Sequence, residues 1–282
     1  MQSFKKFKNK ISGIIESKSE GTTHDFKDGR GKVPAHQHPK GKGWVADTAD
    51  VSYTVYVGPD AKVYGNAKVS VGVSINDNAR VYGNAKIVGK SSGGMYGSVD
   101  GIQISGKAEV YGNVKLTGVA KISDNAKVYG KVQSHELGAK KLEISGNAKV
   151  YGKAFLGPYS VIKDDAEVYG NAVIYGRVYG KAKVYGKAEI FGKAYGNAKV
   201  YDRAKISDAH VYGNAKIYGD AEVFGGAKVS GDAKVYGKAE VYGDKARVNK
   251  RADISGNAKV IDAKFTGKVS GNEEITESNI QS

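Results

Sequence analysis

A unit of six residues recurs along most of this 282-residue chain and limits its fold more than any other feature. The unit is clearest at AKVYGN, residues 61–66, and returns as AEVYGN, AKIYGD and AKVYGK. Ala and Val alternate with Lys and Tyr, so the two pairs project from opposite faces of a short strand. The Gly-Asn or Gly-Asp that follows tolerates the positive φ of a sharp corner. Such a unit cannot bury its Ala/Val face alone, so successive turns must coil and stack.

Irregular units indicate how many sides the coil has. The step between aliphatic positions departs from six in five places: Ile174 to Val178, Ile190 to Ala194, Ile206 to Val211, Val241 to Val248 and Val260 to Phe265. When the units are numbered along the chain and every third unit is placed in the same group, all five irregular steps fall in one group. The step from Val128 to Ile144 falls in that group too if it is counted as one unit. The spacing predicts an all-β, single-stranded, three-sided β-solenoid in which one side or corner varies in length.

Composition excludes several other classes. The chain has no Cys, which removes a disulfide scaffold, a thiolate metal site and a cysteine nucleophile. No apolar run approaches the roughly 20 residues that span a bilayer. The basic N-terminus lacks the apolar stretch of a secretory signal, so we expect the chain in the cytoplasm of the producing cell. The formal net charge of +15 fits a polyanion partner or, equally, a solvated surface.

The repeat resembles the hexapeptide-repeat left-handed β-helix family, whose units carry an aliphatic residue and small residues at fixed positions. Residues 63–68, VYGNAK, match at the aliphatic and small positions, with Tyr64 in place of the usual small or acidic residue. The resemblance covers about residues 44–270. It implies a left-handed parallel β-helix; the handedness comes from the family and not from the spacing.

The ends of the chain lack the repeat. Residues 1–43 are predicted to form an N-terminal leader or cap, with a short amphipathic helix that has Phe and Ile on one side and Lys elsewhere. Contact with a membrane or nucleic acid and a targeting role are the alternatives. Trp44 is expected to plug the first turn. Spacers are predicted near 88–103 and 133–143, and residues 271–282 as an acidic C-terminal tail.

Two segments resemble phage proteins. Residues 33–61 are similar to the entry segment of uncharacterised repeat proteins found in phage and bacterial genomes. Ile14-Ile15-Glu16 resembles the aliphatic-any-Glu site cut by head-maturation proteases of large tailed phages, which makes Glu16 a candidate processing site.

Catalytic and metal-binding chemistry has few candidates. Many left-handed β-helix proteins are acyltransferases with a His general base, and the candidate here is His135, followed by Glu136. A metal site formed by His36, His38 and His24 is the weaker alternative to an ordinary turn. We therefore predict no enzyme activity, no cofactor and no metal, with an acyltransferase as a remaining hypothesis.

The outward Lys and Tyr side chains are the remaining candidate site. They can stiffen the rod and keep its edges from aggregating, or they can contact a polyanion. We favour stiffening, because Lys and Tyr recur on all three sides. The candidate polyanion contacts are Lys62, Tyr64, Lys127, Tyr129, Lys149, Tyr151, Lys183, Tyr185, Lys234 and Tyr236.

These observations predict a non-enzymatic structural or attachment β-solenoid, a virion component of a tailed phage by resemblance. Its partners would be other structural proteins or further copies of itself, in a trimer for example. The alternative is a module that binds nucleic acid or surface polysaccharide.

Overall fold

The computed structural model of the chain describes residues 21–90, 101–134 and 141–278. Within these residues the chain is all-β, without a helix, and its 40 strands form three sheets. The prediction of a three-sided β-solenoid is confirmed. We name the sheets I, II and III in the order in which each turn visits them.

Sheet I has 15 strands. They are β1 (Thr23–Asp25), β2 (Lys32–Gln37), β3 (Trp44–Ala46), β6 (Lys62–Val63), β9 (Arg80–Val81), β12 (Glu109–Val110), β15 (Lys127–Val128), β18 (Lys149–Val150), β21 (Glu167–Val168), β24 (Lys183–Val184), β27 (Lys199–Val200), β30 (Lys216–Ile217), β33 (Lys234–Val235), β36 (Asp253–Ile254) and β39 (Lys268–Val269).

Sheet II has 13 strands. They are β4 (Asp50–Val51), β7 (Lys68–Val69), β10 (Lys86–Gly89), β13 (Lys115–Gly118), β16 (Gln133–Ser134), β19 (Phe155–Leu156), β22 (Val173–Ile174), β25 (Glu189–Ile190), β28 (Lys205–Ser207), β31 (Glu222–Phe224), β34 (Glu240–Tyr242), β37 (Lys259–Ile261) and β40 (Glu274–Thr276).

Sheet III has 12 strands. They are β5 (Tyr56–Val57), β8 (Val73–Ile75), β11 (Ile102–Ile104), β14 (Ala120–Ile122), β17 (Leu142–Ile144), β20 (Val161–Ile162), β23 (Arg177–Val178), β26 (Lys193–Ala194), β29 (His210–Val211), β32 (Lys228–Val229), β35 (Arg247–Val248) and β38 (Lys264–Phe265).

Each strand of the coil pairs in parallel with the strand three places later, and equivalent residues lie directly above one another. Val184 of β24 pairs with Val200 of β27, and Ile190 of β25 pairs with Ile206 of β28. With about 4.8 Å between strands, 12 turns form a rod about 60 Å long.

The Ala and aliphatic positions of every turn form one continuous core along the rod. Ala182, Val184, Ala188 and Ile190 of a single turn are fully buried, and the same positions are buried in neighbouring turns. Full burial of a Val or Ile contributes about 1.5–3 kcal/mol, so stacking supplies the stability that a single unit lacks.

The corners depend on positive backbone φ. Gly170 has a φ of +73°, and a Cβ there would lie 2.9 Å from the backbone nitrogen of Gly186 on the next turn. Where Asp replaces Gly, as at Asp202 with a φ of 59°, its carboxylate compensates for the strain by accepting a hydrogen bond from the next turn. The Gly219 N–H donates to Asp202 Oδ2 at 3.1 Å.

The five irregular steps all lie at the corner between sheets II and III, as expected if one side or corner of the coil varies in length. The step from Val128 to Ile144, however, is two units and not one, because Gln133 and Ser134 form β16 of sheet II inside the predicted spacer. Ser134 occupies the aliphatic position, so a search for aliphatic residues misses this unit. The long segment follows Ser134, again at the II–III corner. One further short step, Phe265 to Val269, falls at the III–I corner.

The first turn is covered by an antiparallel addition to sheet I. Strand β1 pairs with β2, and β2 pairs with β3. Trp44 does not plug the turn: Val45 points into the core, whereas Trp44 lies on the outer face, where His24 stacks on its ring at 4.4 Å. The predicted amphipathic helix lies in residues 1–20, outside the described part. At the other end the coil extends beyond residue 270, because β40 adds a strand to sheet II.

Candidate functional site

One corner of the prism carries a continuous stack of aromatic rings, which we call the tyrosine column. Ten tyrosines follow the buried aliphatic residues of sheet I, at the I–II corner, and lie one per turn. Neighbouring ring centroids are 4.7–5.0 Å apart, with interplanar angles of 1–5°. The column consists of Tyr64, Tyr82, Tyr111, Tyr129, Tyr151, Tyr169, Tyr185, Tyr201, Tyr218 and Tyr236.

The stacking decides which part of each ring is available to a ligand. Phe26, which directly follows β1, covers the first ring, Tyr64, at 4.8 Å, and each ring inside the column has a neighbour on both faces. Bases and sugars bind aromatic side chains through the ring face. The interior of the column therefore presents ring edges and hydroxyl groups outward, and not stacking surfaces.

The hydroxyls of the first nine tyrosines in the column are neutral at physiological pH, because their pKa values are raised. Partial burial raises the pKa of Tyr151 and of Tyr201 to about 12. The pKa of Tyr82 lies well above its usual range, because burial and the Glu109 carboxylate both disfavour the phenolate. The Tyr82 O–H donates to Glu109 Oε2 at 2.8 Å. A neutral phenol is a hydrogen-bond donor, so the column can donate but carries no charge.

The other two corners have shorter ring stacks. At the II–III corner Tyr175 stacks on Phe191 at 4.9 Å. At the III–I corner Tyr179, Tyr195 and Tyr212 stack at 4.7 and 4.9 Å. Tyrosines thus occur at all three corners, as expected, but the long column belongs to the I–II corner.

The residue before each buried aliphatic residue points outward, and together these residues form one rank per sheet. The cations of the sheet I rank outnumber its acids. The cations are Lys62, Arg80, Lys127, Lys149, Lys183, Lys199, Lys216, Lys234 and Lys268, and the acids are Glu109, Glu167 and Asp253. All five candidate lysines lie in this rank, and all five candidate tyrosines lie in the adjacent column, so the structure brings the predicted contacts onto one face.

The rank of sheet II is balanced. Its cations are Lys68, Lys86, Lys115, Lys205 and Lys259, and its acids are Asp50, Glu189, Glu222, Glu240 and Glu274. Two neighbouring pairs form salt bridges, Lys205 with Glu222 at 3.6 Å and Lys259 with Glu240 at 3.7 Å.

The second half of sheet III carries six consecutive basic residues without an acid between them. We call these the basic rank: Arg177, Lys193, His210, Lys228, Arg247 and Lys264. Arg177 and Lys264 are exposed and the other four are partly exposed. In sheet I, Lys127 and Lys183 pair with Glu109 and Glu167, whereas no member of the basic rank forms a salt bridge with any residue the structure describes.

Sequence reasoning missed the basic rank, although its signal is in the sequence. The basic rank becomes visible when the Lys positions are grouped by every third unit. The count in threes gave the lengths of the units, and the same count sorts their charges by sheet.

The histidines proposed as metal ligands have separate roles. His36 Nδ1 lies 2.8 Å from Asp47 Oδ1, His38 is buried and hydrogen-bonds the carbonyl oxygens of Lys40 and Ser52, and His24 stacks on Trp44. Among the described residues, no group of three His, Asp or Glu side chains is placed to hold a metal.

The other sequence candidates lie outside the described part of the chain. Glu16 and His135 both fall there, so the processing and acyltransferase hypotheses remain predictions. His210, the other histidine of the coil region, lies between Lys193 and Lys228 in the basic rank. Its pKa is lowered, by partial burial first and then by these two lysines.

A comparison of the chain with protein-family models finds no match, and a comparison with curated protein sequences finds none either. Over residues 21–90, 101–134 and 141–278 there is also no helix that could span a lipid bilayer.

Proposed function

We propose that the chain is a non-enzymatic, rigid β-solenoid that serves as a structural or attachment part of a larger assembly. The tyrosine column is the observation that carries this proposal. An aromatic pair contributes about 0.5–1.5 kcal/mol beyond the area it buries. A bend away from the I–II corner opens at least one of these stacks, so the column stiffens the rod along its length.

Polar side chains also stiffen the rod at the III–I corner. Asn197 Nδ2 donates to Asn214 Oδ1 at 3.0 Å, and Asn214 Nδ2 donates to Asp232 Oδ1 at 2.9 Å. These bonds join three successive turns. A rod about 60 Å long that resists bending can hold two attached components at a fixed distance.

The assembly that we propose is a tailed-phage particle. This part of the proposal rests on the resemblance of residues 33–61 and of Ile14-Ile15-Glu16 to phage sequences. The chain would be made in the host cytoplasm and then join other structural proteins or further copies of itself.

Mass spectrometry of the protein from its native source, with purified particles, tests this assignment. A chain found in the particles supports it, and a mature N-terminus at Ser17 additionally identifies Glu16 as the processing site. A chain present in the cell extract but missing from the particles contradicts it.

A second candidate function, binding of a polyanion, is favoured by the charge distribution. An even distribution of Lys and Tyr over all three sides would argue against a specific binding face. Instead, sheet II is balanced, whereas sheet I and the second half of sheet III have an excess of cations. A binding constant that falls steeply with salt would support this function, and salt-independent binding or none would exclude it.

A further inference from the structure

The basic rank has an unusual electrostatic property for a stacked array. Adjacent Lys and Arg members, such as Lys228 and Arg247, are separated by about 4.8 Å along the rod, and two unit charges 4 Å apart interact by about 1 kcal/mol even in water. Elsewhere on the rod the runs of cations are shorter and are bordered by acids: the longest, Lys183 to Lys234 on sheet I, has four members and lies between Glu167 and Asp253. Glu167 lies 3.2 Å from Lys183, and Glu240 lies 3.7 Å from Lys259. In the basic rank no acid occupies an outward position over six strands.

The surroundings of His210 report the same field. Lys193, Lys228 and Arg247 all contribute to lowering its pKa, after the effect of partial burial. Asp208, at the II–III corner, is the acid that acts in the opposite direction. Lys193 and Lys228 each have a larger effect than Asp208, so positive charge outweighs negative charge around the centre of the rank.

Resting on the polyanion-binding candidate above, we propose that the basic rank binds the phosphodiester backbone of a nucleic acid, without recognising its base sequence. The six residues extend over about 24 Å, which is the length of about seven phosphates on one strand of a duplex. Arg177 and Arg247 can each hold a phosphate through two N–H donors, and the lysines add point charges.

The neighbouring side chains favour a phosphate ligand over a polysaccharide. Tyr179, Tyr195 and Tyr212 flank the first three members of the rank, and their rings stack on one another with interplanar angles of 3–4°. Tyr195 therefore has both faces occupied and offers no surface for a sugar ring or a base. What this face presents is charge and hydroxyl groups, which suit a phosphate backbone.

The test compares two variants with the same loss of charge on different sheets. Lys193→Gln, Lys228→Gln and Arg247→Gln are combined in the basic rank. Lys68→Gln, Lys86→Gln and Lys115→Gln are combined on three consecutive strands of sheet II as the control. Fluorescence anisotropy measures the binding of a labelled random duplex to the full chain across a range of KCl concentrations, and circular dichroism checks that both variants fold.

We expect the sheet III variant to bind at least tenfold more weakly at about 0.1 M salt. The slope of log K against log salt should fall by about 3, because each phosphate contact contributes about 0.9. The sheet II variant should change affinity less than about threefold. An equal loss in both variants would overturn the proposal, since net charge alone would then explain binding.

Three further results distinguish a failure of this proposal from a failure of the polyanion function on which it rests. If Lys199→Gln, Lys216→Gln and Lys234→Gln on sheet I abolish binding while the sheet III variant binds normally, the polyanion function stands and the basic rank is the wrong face. Binding of dextran sulfate without binding of DNA overturns the nucleic-acid assignment. If neither polymer binds at low salt, the polyanion function itself fails.

Discussion

At the I–II corner every turn uses six residues from one aliphatic position to the next, whereas at the II–III corner the step ranges from four residues, at Ile174 to Val178, to seventeen, at Ile87 to Ile104. The two corners belong to the same turns and are joined by the same sheet. At the I–II corner, Tyr stacks on Tyr and Gly lies against Gly, as at Gly170 and Gly186. At the II–III corner, neighbouring turns often differ in length, and ring stacks join only some of them, as at Tyr175 and Phe191.

This difference teaches that variation in the length of a turn is concentrated at the corner where neighbouring turns depend least on each other. An inserted residue at the I–II corner would disturb contacts with the turns above and below. An inserted residue at the II–III corner meets neighbours that are already unequal. Both long steps, Ile87 to Ile104 and Ser134 to Ile144, fall at the II–III corner.

The largest expected effect comes from moving an insertion between the two corners. One Gly inserted after Gly186 at the I–II corner should destabilise the fold by more than about 3 kcal/mol, because it breaks the stacking of Tyr185 on Tyr169 and Tyr201 and shifts the register of the strand that follows. One Gly inserted after Phe191 at the II–III corner should cost less than about 2 kcal/mol, since it loses at most the stack of Phe191 on Tyr175 and the step becomes five, the length of the next turn.

Urea unfolding followed by circular dichroism compares the two insertions, with the unmodified chain as reference. Similar midpoints for the two variants would contradict the view that register makes the I–II corner constant.

A smaller effect distinguishes two costs of replacing Gly at the I–II corner: the strain of a positive φ and the clash of a Cβ with the next turn. Gly256 and Gly271 have φ values of +67° and +71° on adjacent turns. A Cβ at Gly256 would lie 2.8 Å from the Gly271 nitrogen, whereas nothing lies within 4 Å of a Cβ at Gly271. Gly271→Ala should cost about 1 kcal/mol for the left-handed backbone, and Gly256→Ala about 1–3 kcal/mol more because of the clash.

Thermal unfolding of both alanine variants measures this difference, and their closeness along the chain controls for fraying of the last turns. Equal losses would mean that φ strain alone explains the Gly at this corner.

The sequence predicts the fold well because the spacing between aliphatic residues sets the length of each side of the coil. The steps at Ile190 and Ile206 identify three sides and the variable corner from residue counts alone. Ser134 and Trp44 are harder to place, since neither carries the aliphatic signal: Ser134 occupies a core position as a polar residue, and Trp44 occupies an outward one as an apolar residue.

The candidate site is less predictable, because it depends on how side chains stack between turns. The repeat shows that Tyr and Lys point outward, but the loss of ring faces to stacking appears only when Tyr185 is placed over Tyr201. The sheet to which Lys193 or Lys228 belongs follows from the count of units. That these lysines have no salt-bridge partner among the described residues can be established only once the acids on neighbouring turns are placed.

The smallest expected effect is an alkaline one, and it tests whether the tyrosine column acts as a buried unit. Burial raises the pKa of Tyr151 and Tyr201 to about 12, from an ordinary value of 10.0. Above pH 10 the unfolded chain loses these protons before the folded chain does, so the contribution to stability is complete below pH 10 and is lost as the pH rises toward 12. The loss should be less than about 1 kcal/mol per ring, because the hydroxyls are partly solvated.

Ultraviolet absorbance of the phenolate, recorded on the folded chain and in denaturant, measures the titration. Tyr151→Phe combined with Tyr201→Phe keeps the stacked rings and removes two groups that ionise near pH 12, so this variant should lose less stability between pH 10 and 12 than the unmodified chain. Tyr53→Phe combined with Tyr56→Phe, outside the column, is the matched control. If the double variant and the control lose stability equally over this range, the column tyrosines do not ionise as a buried unit, and the contrast between the I–II corner and the rest of the surface is one of geometry alone.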